Sequence, residues 1–73
     1  MKEPDAILAP ADAARLLGVH VRSLERWRVT GDGPAFVRIG LRRVGYRVSD
    51  IEAWLDARAF PHRAAELAGK VAA

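Results

Sequence analysis

The chain has 73 residues, 51% of them hydrophobic and 29% charged, with a formal net charge of +3. That is room for one small domain with one modest core, and the interspersed charge marks a globular rather than a disordered chain. The absence of cysteine excludes disulfide staples, thiolate zinc sites and a thiol nucleophile together.

Taken in order, residues 1–6 read as a frayed start without the apolar stretch of a signal peptide, and Ile7-Leu8 as a short strand or lead-in. No apolar run approaches the roughly 18 residues of a membrane span. A soluble, cytoplasmic protein is expected, and the richness in Ala, Arg and Gly hints at a bacterial source. Pro10 suits the first position of a helix, where its missing N–H costs nothing. Asp12 follows in the first turn, where the helix dipole favours a carboxylate. Ala9 is a poor N-cap. Helical spacing puts Ala13, Ala14, Leu16 and Leu17 on one side. Gly18 then ends the helix by accepting a left-handed backbone, and His20, a weak N-cap, opens a second one. On that helix Leu24 and Trp27 point inward, while Arg22 and Arg26 share the opposite face with Ser23 and Glu25. Two short helices around Gly18-Val19 make a helix-turn-helix.

Thr30-Gly31-Asp32-Gly33-Pro34 is a dense turn signal. Two alternating runs follow, Phe36–Ile39 and Val44–Val48, joined through Gly40-Leu41-Arg42-Arg43. They predict a β-hairpin, with Val37 and Ile39 against Val44, Tyr46 and Val48, and with Arg38, Arg43 and Arg47 outward. Its size and place make it a wing. Ser49-Asp50-Ile51-Glu52 matches a capping box, and the helix it opens carries Ile51, Trp54 and Leu55 on one face until Phe60-Pro61 stops it. His62 to Val71 has weak helical periodicity, marginal alone at about ten residues. The expected organisation is a DNA-binding domain over 1–60 and a tail or short helix over 61–73, a candidate self-association segment.

Charge is unevenly placed. Between His20 and Arg47 stand Arg22, Arg26, Arg28, Arg38, Arg42, Arg43 and Arg47 against Glu25 and Asp32, a localised positive stripe of the kind nucleic acid selects. Arg22 and Arg26 are suited to bidentate contacts with guanine, Ser23 to a phosphate and Glu25 to a cytosine. Arg42 and Arg43 at the hairpin tip suit the minor groove or its phosphates; Arg38 and Arg47, nearer its base, suit phosphates. Arg28 turns inward, toward a carboxylate or across Trp27. His20 and His62 lack metal-ligand spacing, Trp27 and Trp54 read as core, and Gly31-Asp32-Gly33-Pro34 lacks the lysine and helix of a phosphate-cradling loop. No catalytic, cofactor-binding or metal residues are expected, and no enzyme.

The run Ala11-Asp12-Ala13-Ala14, Leu16-Leu17-Gly18-Val19, Arg22-Ser23-Leu24 and Arg26-Trp27-Arg28, followed by Gly33-Pro34, Phe36-Val37-Arg38-Ile39-Gly40, Val44, Tyr46, Ser49-Asp50-Ile51 and Trp54-Leu55, resembles the MerR-like winged helix-turn-helix domains of excisionases, and AlpA-type regulators look similar. The likeness covers roughly residues 7–57. It implies a mainly α fold with a small β-hairpin, and a recombination directionality factor. Such a protein would bind double-stranded DNA cooperatively at an attachment site, bend it, and promote excision of a mobile element by a tyrosine-recombinase integrase. One helix and one wing read too few base pairs against about 10⁶ competing sites, so a homo-oligomer on DNA is expected, with head-to-tail contacts giving an open filament. The rival readings are a transcriptional regulator and, less favoured, a protein-interaction adaptor.

Overall fold

The computed structural model describes residues 6–72, with side chains for residues 6–68. Of the start read as frayed, residues 1–5 lie outside these. Ala6 does not fray, because its carbonyl accepts the Val48 N–H at 3.0 Å. The elements run β1 (Ile7–Leu8), α1 (Pro10–Leu17), α2 (Val21–Thr30), β2 (Val37–Arg38), β3 (Val44–Arg47), α3 (Val48–Ala57) and α4 (Arg63–Ala72).

α1 begins with Pro10 behind an Ala9 N-cap whose side chain makes no cap bond, and Asp12 sits in its first turn beside Arg15 at 3.0 Å. It ends at Gly18, whose φ of 74° lies in the left-handed region and whose N–H reaches the last carbonyls of the helix. A side chain there would strain the turn that sets α2 against α1. Only Ala13 and Ala14 of α1 are fully buried, with Leu17 half-buried beside them. Leu16, expected on the packed side, is 59% exposed. Its direction lies at the far edge of the stripe centred on Ala13 and Leu17. α2 is held by Leu24, 0% exposed, with Val21 and Trp27 around it.

The sheet is antiparallel with three strands in the order β1-β3-β2. The expected hairpin is therefore its larger part, and β1 completes it on the far side. The register corrects the expected alternation. Val37 pairs with Gly45 and Arg38 with Val44, and directly opposed residues project from the same face. Val44 and Tyr46 thus share a face with Arg38 and, across β1, with Leu8. Val37 and Ile39 stand on the reverse face, where Ile39 is 55% exposed. Val48 belongs to α3 rather than to the strand. A one-residue offset swaps every side chain between faces, and the small Gly45 fixes it here. A Cβ at Gly45 would lie 2.5 Å from Ile7 Cγ2 and 3.0 Å from Ile39 Cδ1, which close over it.

α3 starts two residues before the capping box predicts. Arg47 is its N-cap, making no side-chain cap bond, and its Nε donates instead to Asp50 Oδ2 at 2.8 Å. β3 therefore runs straight into the helix, and the Val48 N–H bond to Ala6 marks the junction. The helix also ends before Phe60-Pro61, at Ala57 with Arg58 as C-cap. Ile51 is buried and Trp54 half-buried, but Leu55 is 44% exposed. Trp54 packs on Trp27 with ring centroids 5.6 Å apart, and its indole N–H donates to the Asp32 carbonyl at 3.0 Å. One side chain thus ties α3 to both α2 and the turn that follows it. The core is Ala13, Ala14, Leu24, Tyr46 and Ile51, with Leu8, Leu17, Val19, Val21, Trp27 and Phe36 packed around it.

The tail forms α4, whose first turn is closed by His62 Nδ1 accepting the Ala65 N–H at 3.2 Å and by an Arg63–Glu66 ion pair at 2.9 Å. Leu67 of its periodic stripe is 49% exposed; the side chain of Val71 lies outside the described residues.

Because the nearest obstructing atom at Gly45 is Cγ2 of the β-branched Ile7, with Ile39 Cδ1 closing the other side, Gly45→Ala is expected to cost about 1–3 kcal/mol. A lower urea midpoint with an unchanged m-value checks this.

Candidate nucleic-acid interface

The helix-turn-helix and the wing meet at Tyr46. It lies on β3, the central strand, and is 1% exposed. Burying a tyrosine requires a partner for its hydroxyl. Arg28, on the third turn of α2, donates from Nη1 to that oxygen at 2.8 Å. The Arg28 guanidinium also lies 5.9 Å from the centre of the Phe36 ring, which stands 6.4 Å from the Tyr46 ring. Arg28 does turn inward, as its place on the helix suggests, but toward Tyr46 and Phe36, not toward a carboxylate or Trp27. Its partner sits 18 residues away on another element, beyond the reach of helical spacing.

The opposite face of α2 is open. Arg22, Ser23 and Arg26 line a shallow hollow of about 430 Å³ with His20 and Val21 at the start of the helix. Glu25 does not join them. It lies on the flank toward the wing, in a groove of about 570 Å³ that runs between α2 and the hairpin. Arg28 lies on the same wall. Arg42, Arg43 and Val44 line the wing side, and Ala9, Pro10 and Asp12 at the start of α1 also border it. The two hairpin-tip arginines therefore face α2 across one groove. The tip is a tight loop in which the Ile39 and Gly40 N–H groups both donate to the Arg43 carbonyl, at 2.8 and 3.3 Å.

The remaining expected contacts lie elsewhere. Arg38 is on the edge strand β2, with its guanidinium 5.9 Å over Phe36 on the side shared with Val44. Arg47 does not line the groove; it stands opposite Ile7 of β1 in register and is paired with Asp50 through its side chain.

The ten arginines of the chain sort into three groups. Arg15, Arg47 and Arg63 are each paired with a carboxylate three residues on or back. Arg28, Arg38 and Arg58 lie over aromatic rings, Arg58 at 4.6 Å from Trp54. Arg22, Arg26, Arg42 and Arg43 have neither kind of partner among the described residues. All four are exposed, two on α2 and two on the wing. No group of three or more His, Cys, Asp or Glu among the described residues is arranged to hold a metal ion. No helix among them is long and apolar enough to cross a membrane.

Sequence reasoning missed two residues of this region. Arg28 was assigned to packing alone, yet it also lines the groove. Val29 drew no attention, yet it is 88% exposed on the arginine-bearing face; its place one turn beyond Arg26 was the available signal.

A helix pair, a three-residue link at Gly18–His20 and a three-stranded wing define a winged helix-turn-helix fold. The family model described as a helix-turn-helix domain matches residues 7–59, and the chain belongs to that family. Membership points to DNA as its partner. No curated protein matches the chain.

Replacing Tyr46 by Phe keeps the ring and removes the acceptor, leaving the half-buried Arg28 guanidinium one bond short. A hydrogen bond to a charged group is worth about 1.5–3 kcal/mol, and a loss in that range, read by urea unfolding, is the expected result.

Proposed function

We propose that the chain is a sequence-specific, non-catalytic DNA-binding excisionase. It lays α2 in the major groove and the wing against the adjoining backbone. It acts cooperatively, as several copies at an attachment site, to bend DNA and favour excision by a tyrosine-recombinase integrase. The observation that carries the DNA-binding part is the partition of arginines. Among the described residues, carboxylates pair with Arg15, Arg47 and Arg63 and aromatic rings lie under Arg28, Arg38 and Arg58, whereas Arg22 and Arg26 on the exposed face of α2 and Arg42 and Arg43 at the wing tip have neither kind of partner.

Arg22 and Arg26 each present a fork of N–H donors that matches guanine O6 and N7. Glu25, on the flank of the same helix, accepts from a cytosine amino group. Arg42 and Arg43 meet phosphates from across the groove, and the Arg28 donors not used by Tyr46 are available to the same strand. Ser23 beside Arg22 supplies a hydroxyl to the backbone. Held by Asp50 and Phe36 respectively, Arg47 and Arg38 contribute to DNA binding less than the four open arginines. The excision role is drawn from the likeness to excisionases, and the small footprint supports cooperativity, since one helix and one wing leave affinity to neighbouring copies or to the integrase. A promoter-bound transcriptional regulator is the second reading, favoured by the same face.

Site placement separates the two roles: protection of repeated sites inside an attachment region supports excision, and protection confined to a promoter supports regulation. DNA binding itself is tested by titrating duplex at several salt concentrations. Contact with about five phosphates predicts a log–log slope near −4 to −5. Arg42→Ala is expected to lower that slope by about one and to weaken all sequences alike. Arg22→Ala and Arg26→Ala are expected to cost about 1–3 kcal/mol at one base pair each and to relax preference there. A slope near zero would refute the reading.

A further inference from the structure

We infer that Val29 is a base-reading residue, whose two methyl groups meet the 5-methyl group of a thymine in the major groove. The inference rests on the DNA-binding reading above and deepens it. Val29 is 88% exposed on a helix whose other apolar side chains, Val21, Leu24 and Trp27, are turned into the protein. Helix propensity does not favour it there, since a β-branched residue loses rotamer freedom in a helix. Seven residues separate it from Arg22, which returns it to within about 20° of the same direction and about 10 Å further along the axis. Arg22, Arg26 and Val29 therefore form one stripe along the open face of α2. Ten ångströms spans about three base pairs, so a helix that seats Arg22 and Arg26 on base edges while lying along the groove brings Val29 over the next positions.

Its surroundings distinguish a base edge from a protein partner. A protein-docking site on a helix gathers apolar side chains at positions three and four apart. The residues four and three before Val29 are Glu25 and Arg26, and those three and four after are Asp32 and Gly33. Val29 is thus a single apolar group among hydrogen-bonding ones. The major-groove edge of an A·T pair has the same make-up: one methyl beside an acceptor and an amino donor. Leu41 is more exposed still at 98%, but it projects from a loop tip and shares no face with a base-reading side chain.

The test uses the full chain and a duplex that it selects itself. Wild-type protein is first used to enrich binders from a pool of randomised 30-base-pair duplexes. Each thymine of an enriched duplex is then replaced singly by deoxyuridine, which removes only the 5-methyl group. Affinities are measured for wild type and Val29→Ala; alanine on this exposed helical face preserves the fold. One thymine is expected at which wild type loses about fourfold in affinity, the weight of one buried methyl group, while Val29→Ala, already weakened on the thymine duplex, loses nothing further. Equal responses of the two proteins at every thymine, or a selected site with no thymine, would overturn the assignment and leave DNA binding standing. Failure to enrich any duplex would overturn the DNA-binding reading itself, and this inference with it.

Discussion

The burial of Tyr46 is the constraint on which the arrangement depends. Its ring is enclosed by the helix pair, the sheet and Phe36, and a hydroxyl taken out of water must find a partner or cost the fold free energy. Arg28 supplies that partner from the same helix that displays Arg22 and Arg26. One hydrogen bond therefore fixes the central strand of the wing against α2. The groove between them, with Glu25 and Arg28 on one side and Arg42 and Arg43 on the other, has its shape because this joint is closed. The Trp54 indole performs a similar service on another side of the same C-terminal half of α2, bonding the Asp32 carbonyl while stacking on Trp27. α2 is thereby gripped from two directions, by the buried Tyr46 hydroxyl and by the half-buried Trp54 indole.

Charge placement follows a related logic. A small domain with five buried hydrophobic side chains among its described residues has little stability in reserve, and unpaired arginines do nothing to increase it. Where arginines serve the fold, they are satisfied within it: Arg47 joins a strand end to a helix start, Arg63 closes the first turn of α4, and Arg28, Arg38 and Arg58 lie across rings. The four left open are clustered rather than scattered, as expected of charges whose partners arrive from outside. Pre-placed cations of this kind raise the rate of encounter with a polyanion as well as its affinity.

Much of this was legible in the sequence because the signals are local. Pro10, Gly18 and Gly31 bound the two helices by backbone chemistry alone, and Leu24 and Trp27 name the buried face by spacing. The failures arose where long-range packing overrides local preference. Ser49-Asp50-Ile51-Glu52 is a good capping signal, yet the strand leads directly into the helix because Val48 is already held by Ala6. The facing of β2 could not be read from alternation, since Val37 and Ile39 look like core residues. What decides it is Gly45 opposite, a gap that Ile7 from a separate strand fills. Leu16 shows the same limit on α1, where the face that packs is narrower than the apolar arc and leaves one leucine out. For the candidate interface, residue type and helical phase were enough to nominate Arg22, Arg26, Arg42 and Arg43. They could not separate these from Arg47 or Arg38, because Asp50 and Phe36 compete for those side chains only once the chain is folded.

The central claim is that the arginines without internal partners form the DNA surface. Its most direct test is a titration of ¹⁵N-labelled protein with a 20-base-pair duplex at low salt, following arginine side-chain N–H resonances. Shifts and line broadening confined to Arg22, Arg26, Arg42 and Arg43, with Arg28 following and Arg15 and Arg63 unmoved, are the predicted result. Perturbation centred on the carboxylate-paired arginines, or none at saturating duplex, would contradict the account.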